Sequence, residues 1–241
     1  MKSEVTVVVP TSPIPSHPST AVLEETVGTV RYHFPDAEII LTFDGPSPGI
    51  DSKFAVPYEE YIRKALWLAD KSWGAVCPHV FRTHHHQSGM MKKILDDIRT
   101  PYLLYVEHDA PIVTDEPIEW DTFFPMLEKG RSDLIRLHHE AHIPEEHEHM
   151  MHGQEDDGSP FMRTSQWSQR PHLATTAFYR RIMDSHFGWT DRQFIEDVMH
   201  GVCDQSYRIN GMMGWWQYRL HLYVPDGNIK RSWHLDGAKS I

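Results

Sequence analysis

Val5-Thr-Val-Val-Val-Pro10 and Tyr102-Leu-Leu-Tyr-Val106 are the two stretches that decide the fold of this chain. Each is a continuous run of apolar or β-branched residues. The first ends at Pro10, and the second ends at the triplet Glu107-His108-Asp109. Runs without polar alternation indicate strands that are buried on both faces of a sheet. The sequence therefore predicts a sheet with helices on both sides.

Strands and helices alternate through the first half of the chain. The remaining predicted strands there are Glu38–Phe43 and Val76–Phe81, and the predicted helices are Ala21–His33, Pro57–Ser72 and Gln87–Arg99. This order implies right-handed crossovers and a mostly parallel sheet, which places the chain in the α/β class.

The second half is less regular. It contains predicted helices at Trp120–Lys129, Phe178–His186 and Asp191–Val202, predicted strands at Asp133–Leu137 and Trp215–Val224, and a long acidic loop over residues 139–160. Long loops in compact domains are often functional.

The composition is that of an ordinary globular protein. The 241 residues are 40% hydrophobic and 24% charged, which fits one large domain. The formal net charge of −11 disfavours a nucleic-acid backbone as partner, although a local basic groove would leave that partner open.

The two cysteines and the apolar runs bear on the compartment. Cys77 and Cys203 are far apart and form no CxxC pattern, so we expect reduced thiols. No apolar run is long enough for a membrane helix, and the first residues do not read as a signal peptide. The expectation is a cytoplasmic protein.

Polar residues follow three of the predicted strands. Pro10 and Thr11 follow the first, Asp44 ends the second, and Glu107-His108-Asp109 follows the fourth. In open parallel sheets these carboxyl ends form one ligand-binding edge. Carboxylates suit Mg²⁺ or Mn²⁺, which neutralise phosphate oxygens. Taken singly, each group could instead be a turn or cap residue.

The histidine-rich segments, His84–His86 and Glu145–His149, have no HExxH spacing and no cysteine partner, which argues against a dedicated zinc site. His86 follows the third strand and Lys92 lies on the next helix. Either could approach a phosphorylated ligand or simply be solvated.

From residue 4 to about residue 236, the serial order of these motifs resembles the GT-A glycosyltransferases, especially the inverting, family-2-like enzymes. The resemblance implies that Pro10 and Thr11 border a nucleotide-sugar donor and that Asp44 contacts its nucleoside. It also implies that Glu107-His108-Asp109 stands where the family has Asp-x-Asp, with Asp109 the firmer metal ligand.

Two later motifs extend the resemblance. Phe194-Ile-Glu-Asp197 is similar to the acidic pair that supplies the general base, which we expect to be Asp197, with Glu196 as the alternative. His234 matches the family's late metal-ligating histidine. The segment before the acidic pair departs from the family, because it lacks the usual glycines.

The resemblance implies a single domain over residues 1–241, with a donor-binding half (1–110) and an acceptor-binding, catalytic half (111–241). The predicted donor contacts are Pro10, Thr11, Asp44, His86, Lys92, Glu107 and His108, and the predicted metal ligands are Asp109, His234 and Glu107. Trp167, Arg170 and His172 are predicted sugar contacts, since sugar rings stack on tryptophan; the alternative is packing near a turn.

The expected reaction uses Mn²⁺ or Mg²⁺ and moves a sugar, preferably from a UDP-sugar, to an unidentified hydroxyl acceptor with inversion. A nucleotidyltransferase is disfavoured because Thr11–Pro18 contains no Gly, Lys or Arg. Two alternatives stay open: a non-catalytic carbohydrate-binding protein on this fold, and a transferase that glycosylates modified nucleic-acid bases.

Overall fold

Nine strands form one sheet between two layers of helices in the computed structural model, which describes residues 4–47, 52–156 and 158–235. The strands are β1 (Val5–Thr11), β2 (Glu38–Phe43), β3 (Val76–Val80), β4 (Tyr102–Tyr105), β5 (Leu134–Arg136), β6 (Met151–Gln154), β7 (Phe161–Thr164), β8 (His172–Thr175) and β9 (Leu220–Tyr223). Their spatial order is β3-β2-β1-β4-β8-β5-β9-β7-β6.

The sheet has a parallel part and a mixed part. β3, β2, β1 and β4 are all parallel, with Val8 of β1 level with Ile40 of β2 and Tyr105 of β4. β8 then pairs antiparallel with both β4 and β5, β5 is parallel to β9, and β7 and β6 close the far edge in antiparallel pairs. The α/β class is confirmed, and the parallel arrangement lies in the first four strands.

The helices are α1 (Ala21–His33), α2 (Ser52–Lys71), α3 (His86–Ile94), α4 (Trp120–Glu128), α5 (Thr176–His186), α6 (Ile195–Asn210) and α7 (Met212–Trp215). One face of the sheet packs against α1, α2 and α4, and the other packs against α3, α5 and α6.

The alternation of side chains along β1 explains why its sequence is apolar throughout. Val7 and Val9 lie in the core beneath α1 and α2, and Val8 lies in the opposite core beside Met91 of α3. Successive side chains of a strand point to opposite faces, so a strand covered on both sides has no polar face to show.

The predicted elements of the first half are present with shifted ends. α2 begins five residues before Pro57, and α3 ends at Ile94 instead of Arg99. In the second half, α6 begins at Ile195 and reaches Asn210, later than the predicted 191–202. Element ends are decided by non-local packing, which local periodicity does not contain.

Two predictions for the second half are wrong. Residues 139–160 are not one long loop, because a 3₁₀-helix (Glu145–Met150) and β6 lie within them; residue 157 is outside the described residues. The segment 215–224 is not a single strand arm either, since α7 ends at Trp215 and β9 begins only at Leu220.

None of the helices in the described part of the chain is long and apolar enough to cross a membrane.

His172 lies inside the core, at the middle of the sheet, and this placement corrects its predicted role in sugar binding. The side chain is fully buried, stacks between Tyr105 and Tyr179, and its Nε2 is bonded to the Tyr179 hydroxyl. Burial is the main cause that lowers its pKa to about 4; the hydrogen bond with the Arg170 carbonyl opposes this shift, and the Arg136 cation adds to it. A neutral imidazole is therefore part of the core packing.

We expect this histidine to make the fold acid-sensitive. Because its folded pKa is below the unfolded value of 6.5, the unfolded chain takes up the proton first as pH falls, and stability is lost between about pH 6.5 and pH 4. The contribution amounts to about 2 kcal/mol between pH 7.5 and pH 5.0.

Urea unfolding of wild type and His172→Gln at pH 7.5 and pH 5.0 measures the contribution of His172 to the free energy of unfolding. The variant is less stable at pH 7.5, but its loss on going to pH 5.0 should be about 2 kcal/mol smaller than the wild-type loss. An equal loss in the two proteins would contradict the assignment of the low pKa to His172.

Candidate active site

Two adjoining cavities open along the carboxyl ends of the parallel strands. The first, of about 560 Å³, is lined mainly by residues that follow β1, β2, β3 and β4. The second, of about 330 Å³, is lined by residues of the second half of the chain, from Arg136 to His200. Glu107 and His234 line both cavities, so these two residues mark where the cavities meet.

Most of the predicted donor-binding residues line the first cavity. Pro10, Thr11, Asp44, His86, Glu107 and His108 all do so, together with the predicted metal ligands Asp109 and His234. The segment after β4 is a turn, closed by a hydrogen bond from the Ala110 N–H to the Glu107 carbonyl. This turn, and not an extended strand, brings the side chains of Glu107 and Asp109 to the same cavity.

Asp44 organises the wall of the first cavity. Its Oδ1 accepts hydrogen bonds from the backbone N–H groups of His85 (2.7 Å) and Gly45 (2.8 Å), and its Oδ2 accepts from the N–H of His86 (2.9 Å). The same Oδ2 lies 2.9 Å from His84 Nδ1. A carboxylate has about four acceptor positions, so Asp44 is occupied in holding the loop at the end of β3.

His86 is held in a strained backbone conformation. Its φ is +56°, in the left-handed region that few residues other than glycine adopt. Its ring meets Phe194 edge-on at 4.4 Å, and burial lowers the pKa of the imidazole. Strain of this kind persists where surrounding bonds impose it, here the bonds to Asp44, and it often marks a functional position.

Backbone pairing brings His234 next to Asp109. The N–H of Leu235 donates to the Asp109 carbonyl at 2.7 Å, and the N–H of Trp233 donates to the Pro111 carbonyl at 3.2 Å. Between these two bonds, His234 Nε2 lies 3.3 Å from Asp109 Oδ2. A carboxylate and an imidazole at this separation are a donor set that suits Mn²⁺.

Glu107 makes its hydrogen bond elsewhere in this structure, and its role as a third metal ligand stays a prediction. Its Oε1 accepts a hydrogen bond from Gln87 Nε2 at 2.7 Å. Among residues 4–47, 52–156 and 158–235, no group of three His, Cys, Asp or Glu side chains is arranged to hold a metal ion. A cation in the first cavity would therefore need oxygen ligands from a bound molecule or water.

A chain of hydrogen bonds connects the two cavities through Glu107. Gln87 donates to Glu107 and accepts at its own Oε1 from Gln169 Nε2 and from the Ile195 N–H. The Gln169 N–H in turn donates to Glu196 Oε2 at 3.0 Å. This network ties α3, the turn after β4 and the start of α6 together, so it sets the distance between the acids of the two cavities.

The pKa of Glu107 is raised to about 8. Burial is the main cause, and the negative charges of Asp109 and Glu196 add to it, against the opposing effects of Arg170 and of the Gln87 hydrogen bond. Carboxyl groups whose pKa is raised by burial and by neighbouring negative charges are concentrated in functional sites.

Of the acidic pair at the start of α6, only Glu196 lines a cavity. It lines the second cavity and accepts a hydrogen bond from the Gln169 N–H, whereas Asp197 is exposed and lines neither cavity. Neighbouring residues of a helix point about 100° apart, so one acid of the pair turns away. The preference for Asp197 as the base is thus not supported, and the alternative, Glu196, has the better position.

Three predicted contacts lie away from both cavities. His172 is in the core, as described above. Trp167 is 1% exposed and packs on Phe178, so it offers no face to a sugar. Lys92 donates through Nζ to the carbonyls of Met183 (3.0 Å) and Phe187 (2.6 Å), at the end of α5, so its ammonium group serves helix packing. Arg170, by contrast, lines the second cavity.

Several cavity residues escaped prediction from the sequence. Gln87, Arg136, His138, His139 and His200 each line one of the two cavities. Arg136 and His138 lie at the end of β5, where the rule about carboxyl ends of strands could have found them. For Gln87 no local signal exists, because an amide at a helix start is common everywhere.

The fold is shared with solved structures. *S. aureus* TarS, residues 1–349, has a TM-score of 0.55 at 12% identity over 96% of this chain. GalNAc-T7 with UDP, GalNAc and Mn²⁺ has a TM-score of 0.58 at 11% identity over 97%. The mannosyltransferase PcManGT of *Pyrobaculum calidifontis*, with GDP-Man and Mn²⁺, has 0.55 at 14% over 92%.

The chain has the GT-A fold. It spans 60%, 44% and 55% of those three chains, so it is shorter than each of them. Neither a protein-family model nor a curated protein matches the sequence. At these identities the likeness concerns the fold alone. The chemistry of this protein depends on the residues that line its own two cavities.

Gly45 is where two loops of the first cavity approach most closely. A Cβ atom at this position would lie 2.5 Å from the Thr83 carbonyl oxygen, which belongs to the backbone and cannot swing aside. We expect Gly45→Ala to push the loop at residues 83–86 away from Asp44 and to lower the free energy of unfolding by about 1–3 kcal/mol.

Thermal unfolding and amide hydrogen exchange at His85 and His86 test this prediction. Gly28→Ala is the matched control, because this residue is in the middle of α1 and no described atom outside the neighbouring turns of that helix lies within 4 Å of a Cβ placed there. The control should be as stable as wild type or up to about 1 kcal/mol more stable. Equal behaviour of the two variants would contradict the close approach.

Proposed function

We propose that the protein is a glycosyltransferase that moves a sugar from a nucleotide-diphosphate donor in the first cavity to a hydroxyl group of an acceptor in the second. The observation that carries the proposal is the junction of the two cavities. Asp109 lies on the donor side, Glu196 lies on the acceptor side, and Glu107 and His234 lie at the junction. An anomeric carbon at this junction would have its leaving diphosphate in the first cavity and a base in the second.

The charge of the first cavity supports a donor that arrives with a divalent cation. Within the described residues, no lysine or arginine lines this cavity, while the carboxylates of Asp44 and Asp109 do. A diphosphate would be repelled there unless a metal ion neutralised it. Asp109 and His234 would hold Mn²⁺ or Mg²⁺. When bound, such an ion supplies positive charge that stabilises a leaving diphosphate.

Four other residues are proposed donor contacts by their position. Pro10 and Thr11 border the cavity at the end of β1, and His86 faces it from the loop that Asp44 holds. His108 also lines it, and its Nε2 has no hydrogen-bond partner in the part of the chain that the structure describes. A buried nitrogen without a partner is unfavourable, so we assign it a donor oxygen or hydroxyl.

Glu196 is the proposed general base. The acceptor oxygen forms the new bond to the anomeric carbon while the bond from that carbon to the diphosphate oxygen breaks. Glu196 takes the hydroxyl proton, and the nucleoside diphosphate leaves with the bonding electrons. Attack from the acceptor side, opposite the leaving group, inverts the anomeric configuration. The hydrogen bond from Gln169 orients the Glu196 carboxylate for this step.

A uridine donor is the preferred choice. TarS has been solved with UDP-GlcNAc and GalNAc-T7 with UDP, whereas PcManGT has GDP-Man. We further propose that residues 1–110 provide the donor side and residues 111–241 the acceptor side. The residues that line the two cavities divide in this way, apart from Glu107, Phe194 and His234.

The first test is metal-dependent donor hydrolysis. With water in place of the acceptor, purified protein should release nucleoside diphosphate from one of a panel of UDP-, GDP- and TDP-sugars when Mn²⁺ or Mg²⁺ is present, and EDTA should stop the release. We expect Asp109→Ala to lower the rate at least about a hundredfold, because the metal would lose one of its two protein ligands.

Asp70→Ala is the matched control, since it removes the same charge from an exposed position on α2. It should hydrolyse the donor at the wild-type rate. A folded wild-type protein that binds and hydrolyses none of the nucleotide sugars would refute the transferase and leave the non-catalytic carbohydrate-binding protein.

The assignment of the base has its own matched pair. Glu196→Gln keeps the shape of the side chain and its bond to Gln169 while removing the basic oxygen. We expect donor hydrolysis to fall about 10²-fold to 10⁴-fold. Asp197→Asn, one residue along the helix, should stay within about tenfold of wild type. The opposite result would transfer the role of the base to Asp197.

A further inference from the structure

Arg136 brings a buried positive charge to the second cavity. Its side chain is 2% exposed, and Nη2 donates to Gln166 Oε1 at 2.7 Å. Within the residues that the structure describes, its Nε has no hydrogen-bond partner and no carboxylate forms an ion pair with it. Burial lowers the pKa of the guanidinium to about 10, partly opposed by the negative charge of Glu196, so the guanidinium remains charged at neutral pH. An unpaired buried cation is unfavourable, which indicates that a ligand group completes it.

Arg170 adds a second guanidinium to the same cavity. It is partly exposed, and within the described residues its guanidinium makes no hydrogen bond or salt bridge. The two carboxyl groups of this cavity accept hydrogen bonds from Gln87 and from the Gln169 N–H, and in the described residues neither is within ion-pair distance of an arginine, although their charges act on the arginines across the cavity. Both arginines are therefore available to an anion, and a guanidinium matches the geometry of carboxylate and phosphate.

The same walls also carry free hydrogen-bond acceptors. His138 Nε2 lies 3.2 Å from the His142 carbonyl, which can only accept, so Nε2 carries the proton. Burial lowers the pKa of His138 to about 3, so the imidazole is neutral and its Nδ1 is an acceptor, for which the described part of the chain supplies no partner. Gln169 is 4% exposed, and its Oε1 is a second buried acceptor without a partner among those residues. Such atoms suit the hydroxyl groups of a ligand.

We propose that the second cavity binds a hydroxylated anion, an acceptor that carries a carboxylate or phosphate group beside its hydroxyls. The anion lies against Arg136 and Arg170, and hydroxyls donate to His138 and Gln169. The acceptor class is thus a sugar acid or a sugar or polyol phosphate. This inference rests on the proposed function, since it names the acceptor of the same reaction.

The size of the cavity favours one sugar-sized unit. Its volume of about 330 Å³ is near the lower end of the range for small-molecule sites. Nucleic acid would need a groove with several cations that follow the backbone, whereas two arginines line this cavity. The positive charge is also local, because the chain as a whole carries a formal net charge of −11.

Binding of simple probes tests the inference without turnover. Isothermal titration calorimetry would measure the dissociation constants of glucuronate, glucose 6-phosphate and glucose. EDTA is present throughout, so that phosphate cannot bind through a metal ion. We expect at least one of the two anions to bind about tenfold or more tightly than glucose, because each charged hydrogen bond discriminates by roughly that factor. The better of the two identifies the anion as carboxylate or phosphate.

The variant to compare is Arg170→Gln, a partly exposed position whose change leaves the core intact. Circular dichroism and thermal unfolding establish that it is folded. We expect anion binding to weaken about tenfold or more, with glucose binding unchanged. Arg208→Gln is the matched control, because it removes a charge from an exposed site on α6, and it should bind like wild type. Arg170→Lys should fall between the two.

Several results would overturn the inference. These are equal binding of glucose and both anions to wild type, equal anion binding by Arg170→Gln and wild type, or tighter binding of a single-stranded DNA oligonucleotide than of either anion. The proposed function itself is tested by a different measurement, the metal-dependent hydrolysis of nucleotide sugars by wild type. A protein that hydrolyses a nucleotide sugar but does not prefer the anions keeps the proposed function and loses this acceptor class.

Discussion

The parallel pairing of β1 with β2 and β4 is the constraint on which the rest of the structure depends. A strand covered on both faces must satisfy its backbone hydrogen bonds in the sheet, and parallel strands all end at the same edge. Pro10, Asp44 and Glu107 are brought to one edge for this reason. The first cavity is therefore a consequence of strand direction, and the loops that follow the strands only decide its lining.

The two cavities differ in charge, and this difference favours a different kind of ligand in each. The first is acidic and, among its described lining residues, contains neither lysine nor arginine, whereas the second contains Arg136 and Arg170. A metal-bound diphosphate suits the first, and an anion that brings no cation of its own suits the second. The network from Glu107 through Gln87 and Gln169 separates the two environments at a fixed distance.

Much of the fold and part of the site could be predicted from the sequence. The runs at β1 and β4 predict buried strands, and the polar residues directly after them predict one edge, because strand and following residue are joined covalently. The prediction fails where a side chain's surroundings come from distant segments. His172, Trp167 and Lys92 look like ligand-binding residues by type, yet the structure uses all three for packing.

The sequence by itself determined the α/β class, the parallel first four strands and the presence of acids after β4, because these follow from local patterns and chain continuity. Only the tertiary structure decided that Glu196 and not Asp197 faces a cavity, that His234 meets Asp109, and that Arg136 is buried beside an open space. Each of these depends on the rotation of a helix or on backbone pairing between segments far apart in the chain, and no local pattern carries that information.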